Sequence, residues 1–203
     1  MPSLLFPTRA MVLVAALVAT LLLAGCGGQE SPAPDDAQKG FLQGMVPHHR
    51  SAVDMAKVAE TEAESDFVKG LAKDIVSSQT GEIAQMGRIH QRTFRSPLQP
   101  DMGGHMALGL SAGEAGMDHM DGAKMIRGKK PFDRAFVDEM TPHHRGAIRM
   151  AEEVMGKTQD EEVRRLAESI VVAQRREIEE MNDFREREYG GPVPTAAGAG
   201  HTG

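Results

Sequence analysis

Apolar residues return in alternating four- and three-residue steps along four long stretches of the chain. In the first, Phe41, Met45, His48, Ala52, Met55 and Ala59 make one row, and Leu42, Val46, His49, Val53 and Ala56 make a second beside it. Two adjacent rows give a helix face wide enough to be core. The spacing predicts a helix from an N-cap at Asp35, with Gln38 three residues on as in a capping box, to about Ala63. Both histidines fall inside its apolar face. In the second stretch, Val68, Ala72, Ile75, Gln79, Glu82, Met86 and Ile89 predict a helix from about Asp66 to Phe94. Gln79 and Glu82 interrupt that stripe, and buried amides and carboxylates need partners. A third helix is expected from Pro131 to about Gly156. A fourth follows a capping box at Thr158 and Glu161, ends near Tyr189 and is stopped by Gly190-Gly191-Pro192.

The pattern is written twice. Met45-Val46-Pro47-His48-His49-Arg50 returns as Met140-Thr141-Pro142-His143-His144-Arg145, an offset of 95 residues from Met45 to Met140. The register runs without a gap from Phe41 to Met86 and from Phe136 to Met181, so Gln79, Glu82 and Met86 return as Gln174, Glu177 and Met181. This is a duplicated helical module. Pro47 and Pro142 fall well inside the predicted helices, where each removes the bond to a carbonyl four residues back, that of Gln43 or Asp138. They either kink their helices or stand as the first residue of a helix that begins there.

Four amphipathic helices with short links inside each pair imply an all-α fold, an antiparallel four-helix bundle of two repeated hairpins. Folding the first hairpin near residue 63 or 64 brings His48 level with Gln79 and Met45 with Glu82. The second hairpin brings His143 level with Gln174 and Met140 with Glu177. With the first and third helices running parallel, both sets lie at one height. The expectation is a buried layer of four histidines, two methionines, two glutamines and two glutamates.

The expected organisation is a signal peptide over 1–25, a lipidated Cys and tether over 26–35, and one hairpin over 36–94. A Gly-, Met- and His-rich spacer over 95–130 follows, then the second hairpin over 131–189 and a small-residue disordered tail over 190–203. Met11 to Leu23 is apolar but short for a membrane span, and it ends in Leu23-Ala24-Gly25-Cys26. That ending resembles the lipobox of bacterial lipoproteins, which implies lipid on Cys26, anchorage to the bacterial cell membrane and a place outside the cytoplasm. Cys26 is the chain's one cysteine, so with it acylated neither thiol nor disulfide is available. Soft-metal chemistry must then use thioethers and imidazoles. The chain holds 14 Met and 8 His. With no Trp and a single Tyr, the core must be aliphatic and Met-filled. A net charge of −6 argues against nucleic acid as a partner.

Adjacent histidines diverge by about 100° on a helix, so His48 and His49 are poor chelating partners for one ion. Met45 pairs with His48 or His49, and Met140 with His143 or His144, at i, i+3 and i, i+4. Glu82 and Glu177 would bind directly or accept the second imidazole N–H, and Gln79, Met86, Gln174 and Met181 are further candidate ligands or outer-shell groups. Thioether with imidazole suits Cu(I), while imidazole alone also suits Cu(II) or zinc. Iron is disfavoured, since a di-iron bundle would want Glu-x-x-His and more inward carboxylates. In the spacer, Met102, His105, Met106, Met117, His119 and Met120 form a candidate accessory metal site.

Phe-x₃-Met-x-Pro-His-His-x₂-Ala-x₂-Met-Ala followed by Leu-Ala-x₂-Ile-x₃-Gln-x₂-Glu-Ile-x₂-Met resembles domain-of-unknown-function family 305. The motif covers Phe41–Met86 and Phe136–Met181. The resemblance implies a ferritin-like four-helix bundle, often exported, with copper binding tied to copper tolerance in some members. The residues that carry over are Met45, His48, His49, Met140, His143 and His144. The copies differ at their start, Gln38-Lys39-Gly40 against Asp133-Arg134-Ala135, so the half-sites are expected to differ in affinity.

The reading is a lipid-anchored extracytoplasmic protein that binds copper, Cu(I) by preference, for buffering, tolerance or transfer to other copper-handling proteins. Two other readings stand beside it: a metal-dependent redox enzyme of ferritin-like type, and a metal-free helical interaction module.

Overall fold

The computed structural model describes residues 34–194. Cys26, the signal peptide, the tether up to 33 and the tail from 195 lie outside the described residues. Between 34 and 194 the chain is all-α, with five α-helices and no strand. They are α1 (Pro34–Glu62), α2 (Asp66–Phe94), α3 (Gly122–Ile126), α4 (Phe132–Lys157) and α5 (Glu161–Tyr189). No helix among the described residues is long and apolar enough to cross a membrane.

The four long helices fall where the periodicity puts them, and their ends are set by side chains that the capping patterns mislocate. Asp35 is not a cap: Asp35 and Asp36 both lie inside α1, in the first turn of the described helix, where carboxylates favour the helix dipole. Thr158 does not cap α5 either. Asp160 does, accepting from the Glu162 and Val163 amides at 2.9 and 3.3 Å. Ser65 caps α2 through the Val68 amide, and Gly190 closes α5 in the left-handed conformation. Past it the tail is at first packed: Val193 is buried and its amide donates to Asn182 at 3.1 Å.

Both prolines lie inside continuous helices, so neither begins one. The carbonyl freed by Pro47, that of Gln43, accepts the Asp101 amide of the spacer at 3.0 Å. The broken helical bond is thus reused to fasten another segment.

α1 packs along α2, α4 along α5, and α1 against α4, whereas α2 and α5 barely touch. The direction of α4 differs from the expectation. Asp133, at the start of α4, is buried and accepts from the Glu64 and Ser65 amides, both at 2.8 Å, in the link after α1. Gln38, its counterpart in the first copy, reaches the link after α4, accepting from Thr158 Oγ1 at 3.1 Å. The start of each inner helix therefore lies at the end of the other, so α1 and α4 run antiparallel, not parallel. The histidine pairs still meet, because they lie near the middle of both helices. The differing openings of the two copies are explained too: each supplies the side chain that holds the other copy's link.

Antiparallel inner helices give the spacer a length to travel, and that is why it is long. It runs beside α1 from one end to the other. Gly104 seats against Gly40 and Gly44, where a Cβ would collide with the Gly40 carbonyl oxygen. Further on, Ser51 Oγ donates to the Met120 carbonyl at 3.0 Å, and the Gly128 amide donates to Glu62 at 2.8 Å. Two 3₁₀ turns, Gly104–Leu108 and Met117–His119, and α3 are built into it.

Candidate metal centre

The four histidines are among the most enclosed polar groups of the described residues. His48, His49, His143 and His144 are all 0% exposed. They lie in apolar rows of α1 and α4, and those rows face each other. The His48 and His143 rings meet across the α1–α4 contact with centroids 3.9 Å apart and planes tilted by 45°. Within each helix the paired rings diverge, with centroids 6.4 Å apart in both copies.

The outer histidines of the layer have carboxylate partners. His49 Nε2 donates to Glu82 at 2.8 Å, and His144 Nε2 donates to Glu177 at 2.7 Å. The expected level was off by one turn, since Glu82 faces His49 rather than Met45. A carboxylate accepts, so each Nε2 carries the hydrogen, and in the neutral ring Nδ1 keeps its lone pair. Both Nδ1 atoms are buried without a partner. His48 and His143 have neither ring nitrogen paired. Six imidazole nitrogens therefore lack partners, as do both amide atoms of Gln79 and the amide oxygen of Gln174. Orphaned buried polar groups are rare, and each costs about 1–3 kcal/mol.

Burial holds the His48 imidazole well below its usual range, and the neighbouring His49 and His144 push the same way. His143 is lowered by burial first and by His48 and His144 next. The two central rings are thus neutral, with lone pairs free for a Lewis acid. The Ala115 backbone pulls His48 slightly upward, yet no hydrogen bond of normal geometry reaches that ring.

Met45 and Met140 are fully buried one turn before the histidines, and Met86 and Met181 are buried on the partner helices. Met181 Sδ accepts from Thr141 Oγ1 at 3.8 Å, which ties that thioether to the α4 backbone neighbourhood of His143. Among the described residues no three His, Cys, Asp or Glu side chains already surround one point. A site here therefore needs the thioethers or a rotation of the rings. The donors fit a soft, low-coordinate ion in type: imidazole lone pairs with thioethers on the same helix face.

The spacer residues do not form one cluster. Met102 and Met106 are exposed, and His105 is buried with Nδ1 donating to the Leu110 carbonyl at 2.8 Å. Met117, His119 and Met120 lie beside the histidine layer instead. There, a Cβ on Gly116 would sit 3.4 Å from His48 Nε2, and one on Gly146 would sit 2.5 Å from the Ala115 and Gly116 backbone. His119 Nδ1 donates to Glu139 at 2.9 Å, a bond that raises its pKa. His119 also lines a cleft of about 250 Å³ with Asp118, Pro142, Arg145 and Gly146. Two residues outside the sequence-derived set belong to this picture. Glu139 orients His119, and His90 repeats the buried, half-paired imidazole elsewhere. Glu139 has Gly44 as its counterpart in the first copy, so the repeat itself conceals it.

Comparison with known proteins places this geometry among relatives. The chain is similar to CopM in its Cu(I)-bound form, with 29% identity over 75% of this chain and 98% of that one, at a TM-score of 0.63. CopM in a silver-bound form is 31% identical at a TM-score of 0.62, over 75% and 98% of the two chains. A secreted DUF305 protein from Streptomyces coelicolor is 27% identical over 80% of this chain and 99% of that one, at a TM-score of 0.69. Among curated proteins, uncharacterized protein L153 of Acanthamoeba polyphaga mimivirus is 38% identical over 52 residues, 26% of this chain. The match spans 34% of that relative's length. The family model described as "Domain of unknown function (DUF305)" matches residues 36–185. With that model spanning most of the chain, the protein belongs to the DUF305 family.

Proposed function

We propose that this protein is an extracytoplasmic, lipid-anchored metal-binding protein that holds copper, Cu(I) by preference, and buffers it or hands it to other copper-handling proteins. The observation that carries the reading is the set of six buried, partnerless imidazole nitrogens in one layer. In neutral rings these six nitrogens are four lone pairs and two N–H donors, and a fold that excludes water from four lone pairs loses stability until something occupies them. A cation does this without competing hydrogen bonds. The CopM structures with Cu(I) and silver support a soft ion in a relative of the same fold.

In this reading the fold is a ferritin-like four-helix bundle, and the spacer is its long crossover. His48, His49, His143 and His144 supply nitrogen, Met45 and Met140 supply sulfur, and Glu82 and Glu177 fix the outer rings. Bound there, the ion gains a site that excludes water and matches its softness. Export follows from the apolar run over 11–23, and the anchor from Cys26 at its end.

The test is X-ray absorption spectroscopy on the full-length chain in detergent, with Cys26→Ser so that no thiol competes. Loaded with Cu(I), it is expected to show both nitrogen and sulfur neighbours. Met45→Leu with Met140→Leu is expected to diminish the sulfur contribution and keep the nitrogen. A first shell of oxygen alone would defeat the reading.

A further inference from the structure

His90 lies near the C-terminal end of α2, outside the histidine layer and outside the repeated motif. It is 1% exposed. Its Nδ1 donates to the Ser96 carbonyl at 2.9 Å, just past the end of the helix. A carbonyl only accepts, so Nδ1 carries the hydrogen and Nε2 carries the lone pair. That Nε2 is buried with no partner. The ring is also held by Phe94, with centroids 4.9 Å apart. Its orientation and tautomer are thus fixed from one side, while the other nitrogen is left bare and dry.

A histidine kept only to end the helix would need the Ser96 bond and nothing more. A glutamine could make that bond without a stranded ring nitrogen. Met86 stands four residues earlier, so the two side chains are neighbours on one helix face. It is fully buried and belongs to the apolar cluster that also contains Met45 and Met150. The arrangement repeats the design of the layer, where Met45 precedes His49 by the same interval and an acceptor fixes the imidazole N–H. The second copy has no such pair. At the position of His90 it carries Arg185, whose Nε donates to Asp138 at 2.9 Å. That guanidinium cannot ligate a cation.

We propose that Met86 and His90 form a further soft-metal site, particular to the first copy, taking Cu(I) or Ag(I) through the thioether and Nε2. Two ligands of this kind satisfy a low-coordinate monovalent ion, and an apolar surrounding disfavours the more strongly hydrated divalent ones.

The test uses the full-length chain with Cys26→Ser in detergent, titrated with Ag(I) while the His90 side-chain ¹⁵N resonances are followed by NMR. On binding, the Nε2 resonance is expected to move while the Nδ1–H stays protected. His90→Gln, which keeps a donor for Ser96, is expected to lose one equivalent of Ag(I). Met86→Leu is expected to weaken that equivalent at least tenfold. A His90 resonance unmoved at saturating Ag(I), or an unchanged stoichiometry in His90→Gln, overturns the proposal. Repeating the titration with His48→Leu, His143→Leu, His49→Gln and His144→Gln separates the sites. The layer reading fails if that variant binds as much metal as the parent, whatever happens at His90.

Discussion

Replacing His48 and His143 together with leucine is expected to make the metal-free protein more stable. The two rings touch at 3.9 Å, and all four of their nitrogens are buried without partners. Each such atom costs about 1–3 kcal/mol, so the four together burden the apo fold by several kcal/mol. Leucine has a similar volume and no polar atom. Reshaping two contacts in a tight core returns about 1–3 kcal/mol of strain. The net expectation is a gain of roughly 2–4 kcal/mol, or about 5–15 °C in Tm for a chain of this size. Calorimetry in the presence of a strong chelator reads it directly. The same scan with Ag(I) should invert the order. The parent gains about 4 kcal/mol at a thousandfold excess of free ion over Kd, and the variant gains far less. If the apo variant instead melts well below the parent, the rings are satisfied structural residues and the reasoning from orphaned nitrogens is wrong.

Other outcomes follow from the same geometry. The unfolded chain protonates His48 and His143 near pH 6.5, while burial keeps both neutral in the fold. The unfolded state therefore binds more protons as pH falls below that value, and apo stability drops by up to about 1.4 kcal/mol per pH unit for each ring. Urea unfolding at pH 7.5 and 5.5 should show this slope in the parent and a shallower one in the double leucine variant. Gly104→Ala should release the spacer from α1, because its Cβ would meet the Gly40 and Gly44 backbone. Faster proteolysis near 101–108 would report it, whereas Gly81→Ala, with open space around it, should be neutral or stabilise by up to about 1 kcal/mol. Asp160→Ala removes the cap of α5 and the partner of Arg92 at 2.6 Å. It should cost about 1–2 kcal/mol in chemical denaturation.

The long helices were legible because the leading row of each of the first two carries five apolar positions in one register, and the repeat doubled the evidence. The layer was legible as residue types at matching heights. That each glutamate accepts an imidazole N–H was legible too, but which histidine it meets was not. Height was read from an ideal hairpin, and a shift of one turn moved Glu82 from Met45 to His49. The direction of α4 hinges on Asp133 and Gln38 reaching across to the opposite links, and nothing in a helical periodicity reports such a contact. The spacer has no apolar period, so its 3₁₀ turns and α3 leave no signal. Its fit depends on Gly40, Gly44, Gly104 and Gly146, whose role is the absence of a side chain. His90 was passed over because it lies outside the row from Val68 to Ile89, and only the unpaired Nε2 distinguishes it.

The most direct measurement is a Cu(I) titration against a competing chromophoric chelator. The full-length chain with Cys26→Ser is compared with its variant carrying His48→Leu, His143→Leu, His49→Gln and His144→Gln. The glutamines keep a donor for Glu82 and Glu177, and circular dichroism checks that the helices remain. Tight binding by the parent and loss of most of its copper by the helical variant is the expected result. Equal binding by both would contradict it and move the metal to the methionines and histidines of the spacer.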